Sequence, residues 1–455
     1  MKRALPVLVL VLLCFLTAGV AAGQTGPVAL PAGPDASADV AGTVLAAALV
    51  FFMQAGFALL GAGLIRAKNT VSYLTKTYTS FSAGGLLYWA LGFALMFGGS
   101  ALAPGLARGN ALIGLSGFLL AGEADHASTA LLWLFQMMLA ATCATIVAGA
   151  VAERLRFRAY LAYSVVVCAV IYPVYGHWIW GGGWLARLSD YVPLLGEGVG
   201  ARDFAGSSAV HAVGGLVALA GAWAVGPRLG KYNRDGTPNP IPGHNMVYVA
   251  IGTFVLFCGW FGFTAGRAMA AGDPHVAVIA VNTFLAGAAG AVTAMWLTRL
   301  LGGQADITLI CNGALAGLVA VTGPCAYIPS WSAVIVGVLG ALVMMGSVRL
   351  VEYVLRVDDP VGAISVHGAC GLLGVMCVGI FADGRYGGVS GLMAGNAGQL
   401  LAQLIACLVV AAWALGLGGL TFLALKHTIG IRATVEEELQ GLDIPEHGLA
   451  CYPGA

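Results

Sequence analysis

Asp203-Phe-Ala-Gly-Ser-Ser-Ala-Val-His-Ala-Val-Gly-Gly-Leu216 places one carboxylate and one imidazole inside an otherwise apolar segment. The pattern recurs as Asp359-Pro-Val-Gly-Ala-Ile-Ser-Val-His-Gly-Ala-Cys-Gly-Leu372, with acid, glycine, valine, histidine, glycine and leucine at the same offsets. His211 and His367 are therefore counterparts in two halves of one chain.

The surrounding sequence sets the solvent in which these histidines lie. Hydrophobic residues make up 59% of the 455 and charged residues only 9%, which is the composition of a polytopic membrane protein and not of a soluble domain. The 67 glycines suit close helix approach in lipid, where no hydrophobic effect drives helices together. A net charge of +1 gives no indication of a nucleic-acid partner. The ten cysteines are scattered singly through apolar runs without zinc-type spacing, so they read as small packing residues and no metal is expected.

Residues 1–23 carry Lys2 and Arg3, an apolar run from Ala4 to Leu16 and small residues before Gln24. This is the pattern of a cleavable secretory signal peptide, with a first transmembrane helix as the alternative. Eleven further apolar segments are long enough to cross a bilayer, from Val40 to Ile65 through Leu400 to Leu425. Loops after odd-numbered segments hold Arg66, Lys68, Lys76, Arg154, Arg156, Arg158, Arg228, Lys231, Arg234, Arg299, Arg349 and Arg356, and the tail adds Lys426 and Arg432. Loops after even-numbered segments hold only Arg108, Arg187, Arg202, Arg267 and Arg385. The positive-inside rule then predicts an outside amino terminus and a cytoplasmic carboxyl terminus.

With that parity the fifth segment begins outside and the tenth inside, so the two copies form a five-plus-five inverted repeat. Each histidine lies eight residues past its acid, ~12 Å along a helix at ~1.5 Å per residue. Descending from opposite faces of a core ~30 Å thick, the two imidazoles are predicted to meet near its middle. A lone intramembrane histidine reads as a satisfied core residue; two at matched depth read as a pathway. Neutral imidazoles carry one donor and one acceptor each and can pass a proton by exchanging tautomers. A small ion stripped of water costs on the order of 20 kcal/mol in the Born limit, so a neutral hydrogen-bonding molecule suits this lane better.

Several stretches resemble the ammonium transporter (Amt/Mep/Rh) family: His177-Trp-Ile-Trp180-Gly-Gly-Gly183, Asp203 to His211, Trp260-Phe-Gly-Phe263-Thr-Ala-Gly266 and Val357-Asp-Asp-Pro360 ahead of Val366-His-Gly368. Gly63 to Asn69 and Ala152 to Phe157 fit as well, and Trp180 is similar to the bacterial Amt branch. The resemblance implies an eleven-span protomer across residues 24–426, a homotrimer with one pore per subunit, ammonium or ammonia as substrate, and neither enzymatic activity nor a cofactor. By motif position it implies that His211 and His367 line the pore, that Asp203 supports the outer site, and that Trp180 faces the vestibule, where cation–π attraction supplies roughly 0.5 to 2 kcal/mol. Phe263 becomes one of two gating rings, with Phe135 and Gln136 nearby. Standing alone, Trp180 and Phe263 read as interface anchors.

Two positions depart from the family pattern. Leu139 stands where a second gating phenylalanine is expected, and Arg267 where a serine helps hold ammonium. A guanidinium pointing into the vestibule repels a cation; turned outward, it pairs with Asp273 or is neutralised by Asp203. The tail at 427–455, including Arg432, Glu436, Asp443 and His447, reads in isolation as a solvated acidic segment and resembles the tail through which PII-type signal proteins regulate family members. Two rivals remain: a membrane sensor that binds ammonium and signals through its tail, and a haem-binding oxidoreductase with His211 and His367 as axial ligands.

Overall fold

The computed structural model describes residues 34–452 except Pro104 and residues 270–274; the side chains of residues 34–39, Glu123, Arg267 and Met269 also lie outside it. The expected signal peptide at 1–23 falls outside the described residues. Among the described residues, ten helices are long and apolar enough to span a membrane. They are α1 (Val40–Leu64), α2 (Ala67–Phe97), α3 (Ala127–Ala150), α4 (Phe157–Val166, continuing through a π-helical turn into Tyr172–Ile179), α5 (Ser207–Val225), α6 (Met246–Gly266), α7 (Val276–Gly302), α9 (Ser330–Val354), α10 (Ile364–Phe381) and α11 (Ala397–Thr428). The eleventh expected span, α8 (Ile307–Thr322), is an apolar helix of 16 residues, shorter than the ~20 that a lone span requires. Its length suffices because it is wrapped by protein: every residue from Cys311 to Thr322 is buried. The protein is an all-helical polytopic membrane protein, with eleven transmembrane helices among the described residues, which form only isolated β-bridges.

Counterpart helices of the two halves pack against each other. Between α1 and α6, a Cβ at Gly56 would press on Leu256, one at Gly252 on the Leu60 backbone, and one at Gly259 on Met53. Small residues at these positions let two apolar surfaces interlock by van der Waals contact. The second pair, α5 and α10, crosses even more closely. A Cβ at Gly215 would overlap the Gly368 backbone, one at Gly371 would meet Ala212, and one at Gly374 would meet Ser207. Advancing along one helix means retreating along the other, which is the antiparallel geometry of an inverted repeat. Both crossing helices start with π-helical turns, Ser207–Ala212 and Ile364–Ala369, and each turn carries its histidine. Such turns concentrate at functional sites.

Charge gathers at one end of the bundle. Arg228 donates to both oxygens of Asp358, at 2.8 and 2.9 Å, and to Glu153 Oε1 at 2.6 Å. Arg66 binds the other Glu153 oxygen, and Arg154 donates to the carbonyls of Ala152, Gly226 and Asp358. Burial would raise the Asp358 pKa, but the Arg154 and Arg228 guanidiniums outweigh it and hold the carboxyl well below the usual range. Burial lowers Arg154 to about 10.

The tail docks on this basic end instead of extending into solvent. Two short helices, α12 (Val435–Gln440) and α13 (Asp443–His447), present their acids to the starts of other helices. Asp443 accepts from the Ser72 amide at 2.8 Å, and Glu446 accepts from the Phe157 amide and from Lys76 Nζ, both at 2.7 Å. These carboxylates do for α2 and α4 what an N-cap side chain does, filling orphan donors at the positive end of the dipole. Arg432 bridges the Val225 carbonyl to Glu438, whose other oxygen accepts from the Leu229 amide. His447 stacks edge-on against Phe157, whereas Glu436 is exposed. The isolated reading of a solvated acidic tail is thus corrected: Glu438 and Glu446 are anchors, which composition alone could not separate from exposed Glu436.

Arg228 is the hub of the ionic cluster, so Arg228→Ala leaves Asp358 and Glu153 buried without their main partner. The expected loss is about 3–5 kcal/mol, read as a lowered unfolding transition of the detergent-purified protein. Arg228→Lys should recover only part of it, because an ammonium cannot span both Asp358 oxygens. The clamp's contribution is present above the ordinary carboxylate pKa of about 3.9 and is lost as pH falls through the depressed Asp358 value.

Candidate functional site

The α5 histidine is positioned from its own N-terminus. Asp203 Oδ1 accepts from the amides of Gly206 and Ser207 at 2.8 and 2.9 Å. Its Oδ2 accepts from the Ser208 amide, the Ser208 hydroxyl and the Ala209 amide at 2.7, 2.6 and 3.1 Å. Five donors on one carboxylate fix the first turn in place. Asp359 repeats the device on α10, accepting from Gly362 and Ile364 at 3.1 and 2.7 Å. The shared acid of the two motifs is a helix cap.

Caps at opposite ends and a glycine crossing in between bring the imidazoles together. His211 Nδ1 and His367 Nδ1 lie 3.1 Å apart, with ring centroids at 5.1 Å and planes inclined by 22°. One nitrogen must carry the shared proton and the other the lone pair. Iron ligated axially by both rings must stand with its macrocycle between the two nitrogens; a direct hydrogen bond at 3.1 Å leaves no such space, which argues against the haem reading. Among the described residues no group of three or more His, Cys, Asp or Glu could hold a metal.

Aromatic rings wall the pair. Trp260 and Phe263, one helical turn apart on α6, each stack on His211 with centroids at 5.2 Å. Phe57 approaches His367 at 6.1 Å. Trp260 is itself held by an Nε1 bond to Thr322 Oγ1 at 2.9 Å. His211 Nε2 is buried with no hydrogen-bond partner. A cavity of about 20 Å³ adjoins His367 on the side toward the basic end, lined among others by Phe57, Ile146, Asn312 and Leu315.

Toward the opposite end, Trp180 donates its indole N–H to the Asp203 carbonyl at 2.6 Å. Trp180 and Asp203 share the wall of a cavity of about 300 Å³ with Arg202, Tyr327 and Val389. Phe135 lies against Gly266, just past Phe263 on α6. Leu139 is buried one turn further along α3. Gln136 turns elsewhere, its Oε1 accepting from the Tyr172 hydroxyl at 3.1 Å. Arg267 belongs to the helix that runs on from α6, and its side chain lies outside the description. Trp260 was not singled out from sequence as a site residue, although its i, i+3 spacing to Phe263 places both on one helix face.

These features define a helical membrane protein with a buried two-histidine lane at the crossing of its inverted halves. Residues 41–452 match the profile of the Ammonium Transporter Family. The chain is 49% identical to ammonium transporter Amt2 of Archaeoglobus fulgidus over 451 residues, 98% of this chain and 94% of that protein. It is 38% identical to ammonium transporter Amt1 of Haloferax mediterranei, over 89% of this chain and 77% of the relative. Among solved structures it is similar to a Sensor Amt Protein, at a TM-score of 0.82 and 34% identity over 90% of this chain and 98% of the other. Candida albicans Mep2 matches at a TM-score of 0.77 and 28% identity over 88% of this chain and 87% of that chain. The chain belongs to the ammonium transporter family, and is a membrane transporter and not an enzyme.

Asp203→Asn tests the cap directly. The substitution turns an acceptor-only group into one with an NH2 facing N–H donors, so at least one amide loses its partner. Unfolding should shift downward by about 2–4 kcal/mol; an unchanged transition would mean that the cap is dispensable.

Proposed function

We propose that the protein carries ammonium nitrogen across the membrane as ammonia, past His211 and His367. The observation that carries this reading is the 3.1 Å Nδ1–Nδ1 contact between the two histidines. Ammonium docks beside Trp180 and gives up its proton before the apolar lane, where retaining the charge is costly. Asp203 supports that site from behind, its carboxylate oxygens already engaged by five donors. The unpartnered His211 Nε2 receives the proton, His211 Nδ1–H passes its own to His367 Nδ1, and His367 Nε2–H releases one toward the basic end. Proton and ammonia leave on the same side, and exchange of both tautomers resets the pair.

The orientation follows from the basic end facing the cytoplasm of an inner membrane, with an outside amino terminus. A signal peptide at 1–23, a transport domain at 24–426 and a regulatory tail at 427–455 complete the proposal, with a homotrimeric assembly as family resemblance implies. The docked tail, held through Arg432, Asp443 and His447 with Glu436 exposed, offers a surface at the cytoplasmic face for a PII-type signal protein. A second reading, an ammonium-binding sensor with little flux, is favoured by Arg267, by Leu139 in place of a second ring and by the likeness to a Sensor Amt Protein.

Purified protein on solid-supported membranes should give an ammonium-evoked current that the His211→Ala/His367→Ala double variant abolishes. Unchanged current in that variant would remove the relay. On the reading that Arg267 faces the vestibule, Arg267→Ser should raise the current severalfold above wild type, because a positive charge repels the incoming cation. Silence in wild type with current in Arg267→Ser would move the sensor reading ahead.

A further inference from the structure

Gln403 stands in the second turn of α11 and is fully buried. Its Oε1 accepts from the Arg202 amide at 2.7 Å. Its Nε2 donates to the Arg202 carbonyl at 2.6 Å and to the Val375 carbonyl on α10 at 2.9 Å. Gln399, one turn earlier, donates to the same Oε1 at 3.3 Å and to the Gly200 carbonyl at 2.9 Å. Both lone pairs and both N–H groups of the Gln403 amide are thereby used.

The segment held in this way walls the cavity beside Trp180. Ala201, Arg202 and Asp203 line that cavity together with Trp180, and the Asp203 carbonyl accepts the Trp180 indole N–H. Gln403 grips the two peptide groups that flank Arg202, immediately ahead of that carbonyl. The repeat holds a counterpart at the basic end. Asp358 precedes Asp359 as Arg202 precedes Asp203, and the Asp358 carbonyl accepts from buried Arg154 at 2.7 Å. In both halves a buried side chain from another segment takes hold of the residue ahead of the cap.

Other bonds keep the segment folded without fixing these peptide groups. The amides of Ala201, Phe204 and Ala205 donate to the carbonyls of Leu185, Gly323 and Thr322 at 2.9, 3.0 and 3.2 Å. None of these bonds involves the Arg202 amide or carbonyl. Removing the Gln403 amide therefore leaves that N–H and C=O without their partners and frees the neighbouring Asp203 carbonyl to turn, while the anchors on either side hold the fold.

We infer that Gln403 is a positioning residue for the ammonium site beside Trp180: it fixes the Asp203 carbonyl, which in turn orients the indole offered to the cation. The inference rests on the reading that ammonium docks beside Trp180. Cation–π attraction depends on the ring face that meets the ion, so a turned indole weakens docking while the lane past His211 and His367 is unaltered. The signature is a change in apparent affinity at a constant maximal rate.

The test is a double-mutant cycle on the purified full chain, pairing Gln403→Met, which keeps the side-chain length and removes the amide, with Trp180→Phe, which removes the indole N–H. Gln403→Met should raise the KM of the ammonium current about fivefold and leave the maximal current within about twofold of wild type. In the Trp180→Phe background it should change KM by less than about twofold, because the group it orients is gone. An unchanged KM, a loss confined to the maximal current, or the same fivefold change in both backgrounds would overturn the inference and leave Gln403 a packing residue. If Gln403→Met does not fold, the cycle is read with Gln403→Glu, which keeps the bond to the Arg202 amide and loses both donors. Should wild type carry no current, the ammonium chloride concentration that gives half the rise in melting temperature over sodium chloride replaces KM. The same cycle in that quantity would uphold the positioning role while transport falls. No ammonium-dependent rise in wild type would overturn the positioning role as well.

Discussion

Everything in this structure depends on how closely α5 and α10 cross. At Gly215 and Gly371 each backbone fills the space that a side chain on the other helix would need. That approach brings two imidazoles within 3.1 Å. In a solvent as apolar as lipid there is no hydrophobic gain in pushing helices together, so the approach is held by contact, by the two acid caps and by the arginine clamp. Arg228 joins α5 to Asp358, the residue before the α10 cap. The charged cluster at the basic end and the neutral pair in the lane are therefore mechanically connected through a few residues of α10.

Much of this was legible in the sequence because it is written as periodicity and repetition. The Asp–x7–His spacing at Asp203 and Asp359 marked both the inverted repeat and the residues that meet at its axis. Arginine and lysine placement marked one end of the bundle, and the structure gathers Arg66, Lys68, Lys76, Arg154, Arg228 and Lys231 there in ion pairs and carbonyl contacts. The brevity of α8 was not legible, because a helix buried in protein needs no hydrocarbon match and hydropathy cannot tell protein from lipid. Gln136 stood one residue from Phe135 in sequence, yet a helix turns ~100° per residue, and its amide reaches Tyr172.

Other features depend on contacts between distant segments. Glu436, Glu437 and Glu438 are equivalent in composition, but only Glu438 meets both the Leu229 amide and Arg432. The same holds for Asn312: a polar residue in an apolar helix is easy to notice, while its unpaired oxygen is defined only by the Val361 carbonyl on one side and a cavity on the other. The family resemblance implies that Trp180 faces the vestibule and Phe263 gates the pore; the structure gives their contacts, an indole bond to the Asp203 carbonyl and a stack on His211.

The two repeat acids clarify how labour is divided along the lane. Asp203 and Asp359 occupy equivalent positions and both cap helices, but one accepts five hydrogen bonds and the other two. If proton chemistry were the shared duty of the motif, both carboxylates would need room to take a proton. Capping needs only oriented acceptors, and the number can vary with the loop that follows. What is held constant between the copies is the imidazole eight residues on, and its partner is the other imidazole. The repeat thus keeps charge at the ends of the helices, where amides and guanidiniums solvate it, and leaves in the middle a pair of groups able to pass a proton while remaining neutral on average.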